Sequence, residues 1–272
     1  MIIVWCINIA APPLHVHISS ALDMDNTQFY LWLPSNSSMD VFPSNTLSEY
    51  RVRLPQAIAL TDDWEVALTE IHYPHSWNNV HDNFWNRFYI KKGVAVEAYV
   101  LPPGHYSSVE NIIVKMNDLI KQSQHKDNVW FSYETLNRKL TVHIQNNFEV
   151  FFSYCGSMLG FTKDDIYSKT TTAKREVDLD LGFHNLYVYC DIVQSQFVGD
   201  AQVPLLRIVP VEGRDGERVS KIFMNPQYLP ISRKQFESIE VNIKSDTGEN
   251  ISFEAGRVLL TLHLRRVSPY FQ

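Results

Sequence analysis

The feature that most constrains this fold is the alternation of apolar and polar residues in the first and last thirds of the chain. Tyr50, Val52 and Leu54 alternate with Arg51 and Arg53. Successive side chains of a strand point to opposite faces, so this period of two predicts a half-buried β-strand. Similar runs, rich in aromatic and β-branched residues, predict further strands at 29–33, 64–73, 84–90, 94–101, 186–193, 205–211, 221–223, 239–243 and 258–265.

The run at 64–73 (WEVALTEIHY) contains one irregularity. The apolar residues follow the strand period up to Leu68, but the next one, Ile71, is three positions later. An extra residue in one strand of an antiparallel pair produces this slip. We therefore expect a β-bulge between Leu68 and Ile71.

The middle of the chain has a different pattern. Apolar residues recur at helical spacing and predict a helix over 108–123. Ser107 and Glu110 stand three residues apart at its start, as a capping box requires, so Ser107 is the expected N-cap. Three short strands follow, at 129–133, 139–144 and 148–152. Residues 102–165 are therefore predicted to form a compact α+β unit.

The arrangement of these elements indicates the fold class. About four strands precede the α+β unit and five follow it, and a jelly roll needs eight strands in two packed sheets. We predict a mainly β protein, a jelly-roll sandwich interrupted by a small α+β insertion, with its first half at 27–101, the insertion at 102–165 and its second half at 166–272. Residues 1–26 are expected to be a tail or a product of start-site choice, because Met24 stands just before the first strand. A cleaved signal peptide is less favoured, since no Lys or Arg precedes the apolar run.

Composition excludes several functional classes. The 24 Lys and Arg residues are outnumbered by 30 Asp and Glu, giving a net charge of −6, so direct nucleic-acid binding is not expected. No stretch approaches the roughly 20 apolar residues of a membrane-spanning helix. Cys6, Cys155 and Cys190 are odd in number and widely spaced, which favours free thiols in a reducing compartment. No cofactor-binding loop is present, and no cofactor is predicted.

Catalytic and metal-binding alternatives are weak in this sequence. His72, His75 and His81 are the tightest histidine cluster, but ordinary loop and edge histidines are favoured over metal ligands because Pro74 interrupts them. A thiol nucleophile at Cys155 or Cys190, or a pair of acidic catalysts, would make the chain a hydrolase. The acidic candidates are Asp62, Asp63, Glu65 and Glu70, for which a solvated strand face is the simpler explanation.

Two loops, 72–87 and 223–236, are rich in Trp, Tyr, Phe, Asn and Arg. Such residues are enriched where proteins contact one another, and loops packed on their own core are an equal alternative. The candidate interface residues are Tyr73, His75, Trp77, Trp85, Arg87, Tyr228, Arg233 and Phe236.

Three sequence blocks resemble one protein family. They span 35–80, with Phe42-Pro43-Ser44-Asn45-Thr46 and Trp64-Glu65-Val66-Ala67-Leu68, then 186–211, with Val198-Gly199-Asp200, and finally 252–266, with Leu262-His263-Leu264-Arg265-Arg266. Together with the short segments 102–108 and 159–161, they are similar to the minor capsid (penton) proteins of Polinton or Maverick elements, which are virus-like DNA transposons. Related jelly-roll pentons occur in virophages.

The resemblance implies a structural role. A penton protein occupies the fivefold vertices of an icosahedral shell, as a homopentamer beside a separate major capsid protein, and has no catalytic or cofactor residues. The chain would then be a capsid component inside the host cytoplasm or nucleus, and not an enzyme. The alternative is a host-domesticated β-sandwich that binds carbohydrate or protein.

Overall fold

The computed structural model describes residues 27–82, 86–163 and 165–267. The expectation for residues 1–26 lies outside these ranges. The strands are β1 (Gln28–Pro34), β2 (Glu49–Ala59), β3 (Trp64–Pro74), β4 (Arg87–Lys92), β5 (Ala95–Val100), β6 (Val129–Glu134), β7 (Lys139–Ile144), β8 (Phe148–Phe152), β9 (Ile166–Tyr167), β10 (Thr171–Thr172), β11 (Asn185–Cys190), β12 (Gln196–Val198), β13 (Ala201–Val203), β14 (Leu205–Pro210), β15 (Arg218–Ile222), β16 (Leu229–Pro230), β17 (Gln235–Lys244) and β18 (Leu259–Arg266). The helices are α1 (Val109–Lys121) and α2 (Cys155–Met158).

Two sheets built from the ends of the chain form a jelly roll. The first sheet has the order β1-β18-β3-β15, with β16 also pairing with β3, and the second has the order β14-β11-β17-β2. Early strands of the chain pair with late ones, from the ends of the chain inward. The pairs are β1 with β18, β2 with β17, β3 with β15, and β11 with β14. A long antiparallel hairpin rolled into two sheets gives this order. The predicted jelly-roll sandwich is confirmed.

The sandwich core follows from the alternation of residues along the strands. Leu260, Leu262 and Leu264 of β18 are fully buried among inward-facing residues of both sheets. Burying one such side chain contributes about 1.5–3 kcal/mol to stability. The expected bulge is also confirmed: Thr261 pairs with Glu70 and Leu262 with Leu68, so the residue between Leu68 and Glu70 is the extra one.

The segment between β3 and β11 forms a second unit with its own core. One sheet has the order β5-β4-β8-β9 and another the order β10-β7-β6, and α1 packs against β6. Strands β4 and β5 were expected in the first half of the sandwich, but β4 pairs with β5 and β8 instead. The second core runs from Val80 to Ala173, and is therefore larger than the predicted 102–165 insertion. The sandwich has three strands before the insertion, not four, because strand alternation alone does not specify which sheet a strand joins.

The helix is present where the sequence predicts it, but its cap differs by one residue. Helix α1 begins at Val109, and the N-cap is Ser108, whose hydroxyl accepts a hydrogen bond from the Asn111 amide at 3.3 Å. Ser107, the expected cap, instead accepts a bond from the Asn111 side chain at 3.2 Å. Two adjacent serines offer equivalent caps, and the backbone angles of Ser108 decide between them. In the described part of the chain, neither helix has the length and apolarity needed to cross a bilayer.

Candidate functional site

Three of the eight candidate interface residues belong to the sandwich core. Tyr73, Trp77 and Phe236 are only 1 %, 5 % and 5 % exposed. Tyr73 points inward from β3, and its hydroxyl accepts a hydrogen bond from the Glu212 amide at 2.8 Å. These side chains stabilise the subunit, and in this conformation they are not available to a neighbouring molecule.

Trp77 lies where the chain leaves the sandwich and enters the insertion. Its ring contacts Phe183 and Phe253 edge to face, with centroids 5.1 and 5.9 Å away, and His75 at 4.1 Å. Phe183 stands just before β11 and Phe253 just before β18. Trp77 therefore connects the end of β3 with the segments that precede β11 and β18, and its role is to hold these three segments together.

The histidine cluster does not form a metal site. His72 lies 2.8 Å from a carboxylate oxygen of Glu70, and His81 is exposed. Burial lowers the pKa of His75, and neighbouring His105 lowers it further, so the His75 ring is held neutral. Across the three described ranges, no group of three His, Cys, Asp or Glu side chains is placed to hold a metal ion.

The remaining candidates have local structural roles in the subunit. Arg233 is exposed and forms an ion pair with Asp191, while Arg87 is half-buried at the start of β4. Tyr228 is half-buried and donates or accepts a hydrogen bond with Nδ1 of His263 at 2.7 Å. Trp85 lies outside the described residues. The structure thus does not gather the seven described candidates into one surface.

The two described thiols are protonated. Burial raises the pKa of both Cys155 and Cys190 to about 12. Cys155 borders a cavity of about 450 Å³ between the two units, but its thiol donates to the carbonyl of Arg87 at 3.0 Å. A nucleophilic cysteine needs a lowered pKa and a basic partner, and the described part of the chain shows neither for these two residues.

The acidic candidates pair with basic side chains on the outer surface of the sandwich. Each carboxylate has a different basic partner: Glu65 pairs with Arg265, Asp62 with Arg266 at 2.7 Å, Asp63 with Lys234 at 3.4 Å and Glu70 with His72. Glycoside hydrolysis needs two carboxylates facing one another across a substrate. Glu65 and Glu70 lie on β3 and Asp62 and Asp63 in the loop before it, so the observed pairs are solvated contacts of a strand face and its adjoining loop.

One surface feature includes exposed aromatic residues that lie outside the loops 72–87 and 223–236. We call it the aromatic strip; it consists of Tyr30, Trp32, Tyr228 and His263 on the outer face of the first sheet. Tyr30 stacks on His263 at 4.4 Å and on Trp32 at 6.1 Å. Tyr30 and Trp32 are 50 % and 61 % exposed, which is unusual for such large apolar side chains.

A signal for this strip was present in the sequence. In the run FYLWL, Phe29, Leu31 and Leu33 contact the core, which places Tyr30 and Trp32 on the opposite face. All five residues of the run are apolar or aromatic, so residue type alone does not reveal this alternation. Two adjacent outward aromatic residues on one strand would have marked the surface.

The outer face of the second sheet also carries ion pairs. Arg51 of β2 pairs with Glu240 of β17, and Asp191, just after β11, pairs with Arg233. Such interspersed opposite charges are typical of a face that meets water. Ion pairs therefore occur on both outer faces, since Glu65 and Arg265 pair on the first sheet, and the exposed rings of Tyr30 and Trp32 are an additional feature of the first sheet.

Comparison with known proteins finds likeness only among solved structures. No family model matches the chain, and no curated protein matches it. The chain is similar to the crystal structure of the mavirus penton protein, with a TM-score of 0.47 and 9 % identity over 88 % of this chain and 100 % of that one. It is also similar to the structure of the Sputnik virophage solved by cryo-electron microscopy, with a TM-score of 0.44 and 8 % identity over 89 % of this chain and 98 % of that one. Identities this low do not transfer residue roles.

Proposed function

We propose that this chain is a minor capsid subunit of penton type, placed at the fivefold vertices of a virus-like icosahedral shell. The observation that carries the proposal is where the three resembling blocks fall. The block at 35–80 supplies β2 and β3, the block at 186–211 supplies β11 to β14, and the block at 252–266 supplies β18. These strands include the two central strands of the first sheet, β18 and β3, and three of the four strands of the second. The resemblance to Polinton or Maverick pentons therefore coincides with the jelly-roll framework.

The surface chemistry supports an assembly role. The described thiols are buried and protonated, and the acidic candidates are paired with basic side chains, so their chemistry favours a structural protein over a hydrolase. The proposed partners are other copies of the chain, as a homopentamer, and a major capsid protein. A five-membered ring joins two different patches of each subunit, and the aromatic strip on the outer face of the first sheet supplies one such patch.

The proposal extends to organisation and location. We propose that the sandwich, formed by residues before about 79 and after about 182, is one domain and the segment between them is a second. A net charge of −6 favours contact with capsid proteins over contact with the genome. The free Cys155 and Cys190 fit assembly in a reducing host compartment, the cytoplasm or nucleus.

The test is to co-express the full chain with the major capsid protein of the same element and image the particles by cryo-electron microscopy. Fivefold vertices filled by density that matches the jelly roll are expected. A matched control is Leu262→Asp, which places a charge in the fully buried sandwich core and should leave the vertices empty. Particles that close normally and carry no density for the native chain at their vertices contradict the proposal.

The alternative, a host-domesticated module that binds carbohydrate or protein, makes a different prediction. Its gene would stand alone with introns, without neighbouring polymerase, integrase and packaging ATPase reading frames. Genomic context therefore separates the two functions before any protein is made.

A further inference from the structure

A small hairpin projects from the sandwich without support from other strands. Strands β12 and β13 pair with each other and with no other strand of the described ranges. Phe197 in this hairpin is 86 % exposed, and Gly199 in its turn has φ of +59°. A lone two-stranded hairpin is only marginally stable in water and usually needs an apolar partner. The hairpin therefore has the chemistry of a docking element.

The hairpin and the Tyr30–Trp32 end of the aromatic strip lie toward opposite edges of the sandwich, whereas the Tyr228 end lies near the base of the hairpin, where Gln194 bonds to Pro230 at 2.9 Å. Two connections join an edge strand of one sheet to an edge strand of the other. The connection from β1 to β2 lies on one side of the sandwich, and the connection from β14 to β15 lies on the opposite side. The strip includes edge strand β1, whereas the hairpin leads directly into edge strand β14. The hairpin of one subunit can therefore meet the strip of a second copy, and the same contact can repeat from copy to copy.

The charges beside the two surfaces are complementary. Asp200, in the hairpin turn, is the only charged residue between Gln196 and Val203, and it is exposed. Arg257 is exposed. Its neighbour Val258 accepts a hydrogen bond from the Ser35 amide at 2.8 Å, which places Arg257 beyond the Trp32 end of the strip. Neither Asp200 nor Arg257 forms an ion pair with another residue in the described part of the chain. The hairpin and the strip therefore carry opposite charges beside their exposed aromatic residues.

We infer that Phe197 of one subunit packs on Tyr30 and Trp32 of the next, with Asp200 beside Arg257, in a head-to-tail contact between copies of this chain. The inference rests on the proposed function and names one surface through which the ring would form. A stable contact buries about 800 Å² per partner, more than an eight-residue hairpin provides, so the docked hairpin is the anchor of a wider interface. Contacts that join two different patches generate a closed ring when the rotation from one subunit to the next closes, and an open filament when it does not.

The first experiment measures self-association of the full chain by sedimentation velocity over a range of concentrations. Phe197→Ser and Trp32→Ser should each weaken association about 30-fold, the effect of losing an interface hot spot. The double variant should be little weaker than either single one, because both changes remove the same contact. Leu136→Ser is the matched control, since Leu136 is 92 % exposed in the insertion, between β6 and β7, and should leave association unchanged.

The charges provide a second, independent readout. Asp200→Lys and Arg257→Glu should each weaken association, and combining the two reversals in one chain should restore most of it. Rescue of this kind cannot result from unfolding. Two weak single variants without rescue overturn the Asp200–Arg257 pairing.

Cross-linking tests the contact directly. In a Cys6→Ser background, Phe197→Cys and Trp32→Cys proteins are oxidised separately and as a mixture. A covalent dimer that forms only in the mixture is expected, because a disulfide requires Cα atoms within about 7 Å. Failure to cross-link in a mixture that does self-associate overturns the inference.

Other outcomes identify a different occupant or separate this inference from the function. Association that is unaffected by Phe197→Ser and Trp32→Ser overturns the contact, whereas density at the vertices of particles still upholds the capsid role. If full-length protein stays monomeric while a chain begun at Met24 associates through Trp32, residues 1–23 cover the strip and the inference fails.

Discussion

Replacing Trp77 by alanine tests whether burial, not loop composition, determines the role of this residue. The Trp77 side chain is 5 % exposed and contacts Phe183 and Phe253 edge to face at 5.1 and 5.9 Å. Truncating a buried aromatic residue to alanine costs about 3–5 kcal/mol through lost burial and the cavity left behind. We expect Trp77→Ala to lower the free energy of unfolding by about 4 kcal/mol, while Trp77→Phe, which keeps a ring, should cost about half as much.

The assay is urea unfolding followed by far-UV circular dichroism. With a denaturant slope of about 3 kcal/mol/M, a loss of about 4 kcal/mol lowers the unfolding midpoint by about 1.3 M. Trp32→Ala is the matched control, because Trp32 is 61 % exposed and its removal should change the free energy of unfolding by less than about 0.5 kcal/mol. The two tryptophans should thus show opposite behaviour, with Trp77 affecting stability and Trp32 affecting self-association.

One result would refute this reasoning. If Trp77→Ala leaves the urea midpoint within about 0.3 M of the native value and weakens self-association instead, Trp77 is an interface residue, as its loop composition predicted. The burial observed in the isolated subunit would then not describe the protein in solution.

Three further outcomes are expected. Gly160→Ala should lower the urea unfolding midpoint strongly, because Gly160 has φ of +82° and an added Cβ would lie 2.2 Å from the carbonyl oxygen of Arg175. Gly93→Ala is the control: Gly93 has φ of +59° and open space around it, so the substitution should cost only about 1 kcal/mol. Equal losses for the two variants would contradict the structure. In a Cys6→Ser protein, Cys155 and Cys190 should react with a thiol reagent at pH 8 only after unfolding, because burial raises the pKa of both thiols to about 12. Rapid labelling of the native protein would contradict this expectation. Burial lowers the pKa of His75 below 6.5 in the folded protein, so the unfolded chain binds the proton more readily. The stability that neutral His75 contributes should therefore be complete above pH 6.5. It should decrease as the pH falls through 6.5 toward the lowered pKa of the folded state. His75→Gln should flatten this dependence in urea midpoints measured from pH 7.5 to 5, and an unchanged slope would exclude His75 as the cause.

The interface prediction shows why the site was harder to predict than the fold. Trp77 stands in the polar segment HSWNNV and Trp32 in the apolar run FYLWL, so local composition favours exposure of Trp77 and burial of Trp32, the reverse of what the structure shows. Trp77 is buried because Phe183 and Phe253, more than 100 and 170 positions away in the chain, come to lie against it. Trp32 is 61 % exposed because, within the described ranges, no distant segment closes over its ring in the way that Phe183 and Phe253 close over Trp77. Which loop closes over which ring is a property of the assembled sandwich.

The sequence by itself determined the local elements and the overall class of fold. Residue period placed the strands, the helix at Val109–Lys121 and the bulge after Leu68, because each depends on contacts between neighbouring positions and on one buried face. The nesting of the first and last strands into a jelly roll was also predictable, since eight amphipathic strands must bury their apolar faces in paired sheets.

Only the tertiary structure decided which partner each element takes. Strands β4 and β5 have the same alternation as sandwich strands, yet they complete the core of the insertion against β8. Alternation specifies which face of a strand is buried, whereas strand partners are chosen by distant segments that compete for the same edge. For the same reason, the exposed Phe197 and the aromatic strip became recognisable as surfaces only when the whole chain was folded.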